Sequence, residues 1–217
     1  MLSFRTELGY RERFLGPLKI GVFYGLIAAI VALVADLRFF FIDPSALETW
    51  VLAVIETYRS SLALAVCLFV GILAALQVRP MRLDPGVPYR SLLVRDGALA
   101  ATVVAVVFGA TLLLTSALQA TLLADEVRAY AEEAAPRIVA YVDELARRFD
   151  NPSPTTVEEV ESGLQPPALR DLGRSITNLV LRAVFLGTAG GLVGLLRGRF
   201  GASPRGAEAA GGKPRRE

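Results

Sequence analysis

The chain has 217 residues, of which 53% are apolar and 20% charged, with a formal net charge of +2 and a mean hydropathy of +0.49. A soluble domain is about 45–50% apolar with about a quarter charged, and here the excess is gathered into four long blocks, so an ordinary soluble enzyme is excluded. The absence of His and the single Cys67 exclude imidazole metal sites, His-based acid–base catalysis and an intrachain disulfide, and no basic stripe with interleaved aromatics points to nucleic acid.

The chain opens with a mixed-charge lead-in, residues 1–17, holding Arg5, Arg11 and Arg13 among Leu2, Phe4, Leu8, Phe14 and Leu15. It lacks the apolar core and small-residue cleavage site of a signal peptide. It reads equally as a short interfacial helix or as a cytosolic lead-in with membrane-flanking positive charges. A bilayer core about 30 Å thick needs about 20 mostly apolar helical residues to cross it. Four stretches meet that length, near 18–40, 58–78, 97–120 and 176–196, and the expected fold is all-α and polytopic.

The first span carries Gly21 and Gly25 and ends in Phe39, Phe40 and Phe41. Ser45 with Glu48 has the Ser-x-x-Glu spacing of a capping box, which predicts a helix running from there through Trp50 and Tyr58 into the second span. Cys67, between Val66 and Leu68, reads as a small buried hydrophobe. The loop between the second and third spans contains Arg79, Arg82, Arg90 and Arg95. The third span has a small-residue stripe at Gly97, Ala101, Ala105 and Gly109, and the fourth carries Gly187, Gly190, Gly191 and Gly194. Small residues four apart line one helix face and let two backbones approach closely in lipid. These ten positions are the expected helix-packing residues.

Between the third and fourth spans lies segment 121–175, the expected external helical hairpin. Val127, Tyr130, Ala134, Ile138, Tyr141, Val142, Leu145 and Phe149 form an apolar stripe at helical spacing. Pro136 is expected to kink or split that helix. Asp150 to Pro154 marks a break, and Thr156 with Glu159 is a second capping box, opening a short helix that Gly163 closes. The stripe is expected to pack on a matching face at Trp50, Val54 and Tyr58. The fourth span occupies 176–198, and 199–217 is a Gly/Ala-rich basic tail expected to be disordered.

Orientation follows from the charges between spans. Segments 1–19, 79–96 and 197–217 together carry 14 Lys/Arg against 6 Asp/Glu, whereas 37–60 and 121–175 carry 8 against 14. Retention of Lys and Arg on the cytoplasmic face predicts both termini in the cytoplasm and 121–175 on the periplasmic or extracellular side. Lys19 and Lys213 are the only lysines among 23 basic residues, a bias that suits a GC-rich bacterial or archaeal genome and hence an inner membrane.

Charges at membrane depth are costly and usually face protein, water or a partner. Arg182, inside the fourth span, and Asp36, near the end of the first, therefore head a candidate polar cluster with Thr111, Thr115, Gln119 and Asn178. It reads as an outward-facing anion or headgroup pocket, as an internal Arg182–Asp36 network, or with Arg182 snorkelling to the interface. No spacing marks a catalytic, cofactor or metal site, and no Walker-type, GxSxG or HExxH sequence occurs. The expected role is a non-catalytic membrane component or accessory subunit, its partners being the lipid bilayer and either itself or another membrane protein. The alternatives are a small transporter or channel subunit and a lipid- or envelope-sensing module.

Overall fold

The computed structural model describes residues 3–80, 86–149 and 155–200, with side chains from Gly16 onward except Leu169. Six α-helices follow in order: α1 (Ser3–Asp36), α2 (Thr49–Gln77), α3 (Tyr89–Thr121), α4 (Ala124–Arg148), α5 (Val157–Leu164) and α6 (Leu172–Phe200). Short 3-10 turns at Arg38–Phe40 and Leu169–Asp171 complete the order, and no strand occurs among the described residues. The protein is all-α. Four helices are long and apolar enough to cross a membrane: Gly16–Asp36 of α1, then α2, α3 and α6. The shortest, at 21 residues, extends about 30 Å at 1.5 Å per residue. Their outer faces present large apolar side chains, among them Phe23, Leu62, Phe69, Val184 and Phe185, as a lipid-facing surface requires. This is a membrane protein.

The chain divides into two compact units, residues 1–27, 68–107 and 181–217 in one and 28–67 and 108–180 in the other. In the first, glycines bring α1, α3 and α6 into close contact. A Cβ on Gly21 would lie 2.7 Å from the Ala100 carbonyl oxygen, and one on Gly25 would lie 2.9 Å from Val107 Cβ. Gly97 and Gly190 abut backbone to backbone, a Cβ on either falling 2.5–2.8 Å from the other's carbonyl oxygen. Gly194 presses on the Leu93 carbonyl and Gly187 on Thr102, while Ala101 and Ala105 are fully buried. Gly191 has looser neighbours, the nearest at 3.7 Å. Arg197 donates to the carbonyl oxygens of Leu76 and Val78, both at 2.5 Å, and so satisfies acceptors that the end of α2 leaves open.

The second unit holds the α4–α5 module. Tyr130, Ala131, Ala134, Ala135 and Ile138 of α4 pack with Leu164 against Leu52 and Ala53 of α2. Also in this unit, Gly109 of α3 packs against the Leu179 side chain of α6.

Several expectations are corrected here. The first long helix stops at Asp36 rather than continuing through Phe41. The Ser45–Glu48 capping box does not form. Ser45 instead donates both its amide (2.8 Å) and its hydroxyl (2.7 Å) to the Asp43 carboxylate, a local turn that competes with helix initiation, and α2 starts at Thr49. Pro136 does not split its helix. It removes one backbone donor and crowds the preceding turn, but the flanking Ala134, Ala135 and Ile138 are buried, and α4 runs unbroken for 25 residues. The face of α2 that receives α4 is Leu52 and Ala53. Trp50, Val54 and Tyr58 remain about half exposed, because the buried face is the one that carries Glu56 toward its partners. At α5, Glu159 N–H donates to Thr156 Oγ1 at 3.2 Å, and Gly163 lies within the last turn rather than beyond it. The helix beginning at Ser3 passes Pro17 without a break. The lead-in's apolar face, the 150–154 break and the basic tail from residue 201 fall outside the described residues and side chains.

Candidate functional site

The second unit contains a buried polar cluster where the end of α1, the start of α2, the end of α3 and the start of α4 meet. Its centre is Glu56. Arg38, in the 3-10 turn after α1, holds Glu56 in a bidentate grip, Nε on Oε1 and Nη2 on Oε2, the latter at 2.6 Å. Both side chains are almost wholly buried, at 7% and 5% exposure. The Tyr130 hydroxyl of α4 donates to Glu56 Oε1 at 2.7 Å, and the Arg38 guanidinium stands over the Tyr130 ring, 5.3 Å from its centroid. Arg59, one turn further along α2, lies 3.6 Å from Glu56 Oε2. Burial, and after it the Glu56 charge, pushes the Tyr130 phenol well above its ordinary value and keeps it a neutral donor.

Asp36 adjoins this centre. The Thr115 hydroxyl donates to Asp36 Oδ2, and Gln119 Nε2 donates to the Asp36 carbonyl oxygen at 2.8 Å. Thr115 is fully buried. Arg38 and Arg59 thus face the Glu56 carboxylate, while neutral donors reach Glu56 from Tyr130 and Asp36 from Thr115 and Gln119. Such a cluster is costly to assemble and costly to break singly, since each member left alone is a buried charge.

Of the six polar residues expected to cluster, Asp36, Thr115 and Gln119 stand together. Thr111, one turn before Thr115, is half-buried, and Asn178 is exposed on α6. Arg182 is partly exposed on α6 and belongs to the other unit. Sequence reasoning missed Arg38, Glu56, Arg59 and Tyr130. Each lies at or beyond the edge of an apolar block, where a charge or hydroxyl looks like ordinary interfacial decoration. The available signal was the i,i+3 placement of Glu56 and Arg59 on a helix otherwise becoming apolar. Among the described residues no group of three or more His, Cys, Asp or Glu converges to hold a metal ion.

Beside the cluster, α1 and α2 form a lateral groove of about 490 Å³. Its walls are almost wholly apolar, including Ile30, Val34, Val54 and Leu62, with Arg38 and Arg59 also along it.

Comparison of the chain with protein-family models, with curated proteins and with solved structures finds no match.

Proposed function

We propose that the protein is a non-catalytic component of a bacterial inner membrane that holds the α4–α5 module on the periplasmic side for a second copy or another membrane protein. The observation that carries this reading is the Arg38–Glu56–Tyr130 junction, which fixes the polar helix α4 to the end of an apolar helix through charge and hydrogen bonds as well as apolar burial. A module tied in this way has one geometry to present. The glycine faces of α1, α3 and α6 are spent on contacts within the chain, so a partner meets other surfaces. The excess of Lys and Arg in the short 79–96 loop supports cytoplasmic termini.

Two experiments test the proposal. Extraction in mild detergent should bring a second polypeptide, or a second copy, at fixed stoichiometry. A monodisperse single chain would refute the accessory role. In a Cys67→Ala background, an impermeant thiol reagent applied to intact cells should label Ser162→Cys, on the exposed face of α5, and leave Ser203→Cys unlabelled. The reverse pattern would invert the topology.

A further inference from the structure

The end of the first unit where α2 and α6 terminate and α3 begins is strongly basic. Among the side chains described in that unit, seven Lys/Arg stand against one acid, Asp96. Asp96 is buried and accepts from Arg95 at 2.9 Å. Four further arginines gather at this end. Arg197, in the last turn of α6, donates to the carbonyl oxygens of Leu76 and Val78 at 2.5 Å, which sets the end of α6 beside the end of α2 and beside Arg79, the residue after Val78. A Cβ on Gly198 would lie 2.8 Å from Arg90 Cγ, so the same turn of α6 rests on the start of α3. Arg199 follows Gly198 directly, its guanidinium 5.8 Å from the Phe200 ring centroid.

These cations are not equally engaged. Arg197 is committed to the two carbonyl oxygens that the end of α2 leaves open. Arg79, Arg90 and Arg199 are exposed, and no carboxylate pairs with them among the described residues. The rest of the sequence does not neutralise them. Segment 81–85 adds one Arg and one Asp, the first 15 residues three Arg and two Glu, and the tail 201–217 four Lys/Arg and two Glu. Apolar side chains border the same cations. Leu76, Leu196 and Phe200 are exposed on helices long and apolar enough to cross a membrane. A ligand here meets guanidinium and hydrocarbon within one helical turn, and a phospholipid offers both, phosphate beside acyl chain. A soluble polyanion would match the charge and leave the apolar border bare.

We infer that this basic end binds anionic phospholipid of the surrounding membrane, with the phosphate on Arg90 and Arg199 and the acyl chains along Leu196 and Phe200. Uncompensated positive charge selects an anion, and the apolar border selects one that carries chains. The inference rests on the membrane character of the chain. It holds whichever side of the membrane this end faces, and it is independent of the accessory role proposed above.

The test uses the full-length protein in nanodiscs of phosphatidylcholine, with or without added phosphatidylglycerol, followed by release into mild detergent and native mass spectrometry. The wild type should retain phosphatidylglycerol and release phosphatidylcholine. The double variant Arg90→Gln/Arg199→Gln should weaken that retention by about 30-fold, since each cation near an anionic surface contributes about fivefold. The variant Arg90→Lys/Arg199→Lys, which keeps both charges, should retain most of it. Arg170→Gln, which removes an exposed cation of the other unit, should match the wild type. Raising the salt from about 0.05 to about 0.5 M should cut the wild type's retention of phosphatidylglycerol, because exposed charges are screened. Glycerol phosphate at the same concentration should not displace the lipid, because it has no chain for the apolar border. Equal retention of both phospholipids, retention unchanged by salt, equal loss in Arg170→Gln and the double glutamine variant, or displacement by glycerol phosphate would overturn the site. The salt series needs no variant, so it decides the matter even where the glutamine variant fails to fold.

Discussion

The bidentate pair at the centre of the cluster makes an asymmetric prediction. Glu56→Leu removes the carboxylate that faces both Arg38 and the Tyr130 hydroxyl. It leaves a guanidinium at 7% exposure without that acceptor, a second cation nearby at Arg59, and a buried phenol without the Glu56 oxygen it donates to. Breaking a buried ion pair from one side costs about 3–5 kcal/mol, and a lost hydrogen bond to a charged group about 1.5–3 kcal/mol. The two overlap, because both are consequences of one missing carboxylate, so about 4 kcal/mol is the working figure. For a chain of this length each kcal/mol lowers Tm by roughly 2–4 °C, which gives a fall of roughly 8–16 °C.

Arg38→Leu should cost less. Glu56 then keeps Tyr130 as a donor at 2.7 Å, and Arg59, already 3.6 Å away, can turn toward it. The double variant Arg38→Leu/Glu56→Leu should be more stable than Glu56→Leu alone, since it removes the orphaned charge and adds apolar volume to the same buried space. Thermal unfolding of the four proteins in one detergent, followed by circular dichroism at a helical wavelength, gives the cycle. If the two single losses simply add in the double variant, the pair is not coupled and the reasoning about its burial fails.

The glycine contacts predict a sharp split on α6. Gly194→Ala and Gly190→Ala, whose Cβ atoms would press on backbone at Leu93 and Gly97, should each lower stability by about 1–3 kcal/mol. Gly191→Ala, with its nearest neighbour at 3.7 Å, should be neutral or slightly stabilising, because alanine is the better helix former; equal Tm losses for the three would deny the close approach. Tyr130 predicts an alkaline limit. Its phenol is held above the ordinary value of about 10, so above that pH the unfolded chain loses the proton while the folded chain keeps it, and stability declines as pH rises further. Tyr130→Phe should show a shallower decline in alkaline thermal unfolding, and an unchanged slope would remove Tyr130 as its source. For the docking of α4, cysteines at Ala53 and Ala134 in the Cys67→Ala background should crosslink within one chain, whereas Val54→Cys with Ala134→Cys should not; the opposite result would restore the Trp50–Val54–Tyr58 face as the contact.

What could be read from the sequence, and what could not, divides along the number of residues that have to agree. Each long apolar helix is written by about twenty consecutive positions, so replacing any few leaves the signal standing, and the four helices are present where the hydropathy puts them. The boundaries depend on single competing groups. Ser45 has the spacing of a helix cap relative to Glu48, but the Asp43 carboxylate two residues back captures its hydroxyl first, and no periodicity registers that competition. Pro136 has the same character in reverse, since a local rule that breaks isolated helices yields to the burial of Ala134, Ala135 and Ile138. The cluster is harder still. Asp36 and Thr115 are 79 positions apart, Glu56 and Tyr130 are 74 apart, and Arg38 and Glu56 are 18 apart. Their meeting is set by which face of α2 turns toward α4. Two candidate faces were available, and aromatic Trp50 and Tyr58 made one look the stronger. The charge of Glu56 decides for the other. A carboxyl side chain at the head of an apolar helix is costly to bury without cations and donors, and the face carrying it turns inward to Arg38 and Tyr130. Trp50 and Tyr58 lose nothing by facing outward, because an amphipathic ring at the boundary of an apolar span is stable against lipid and headgroup alike.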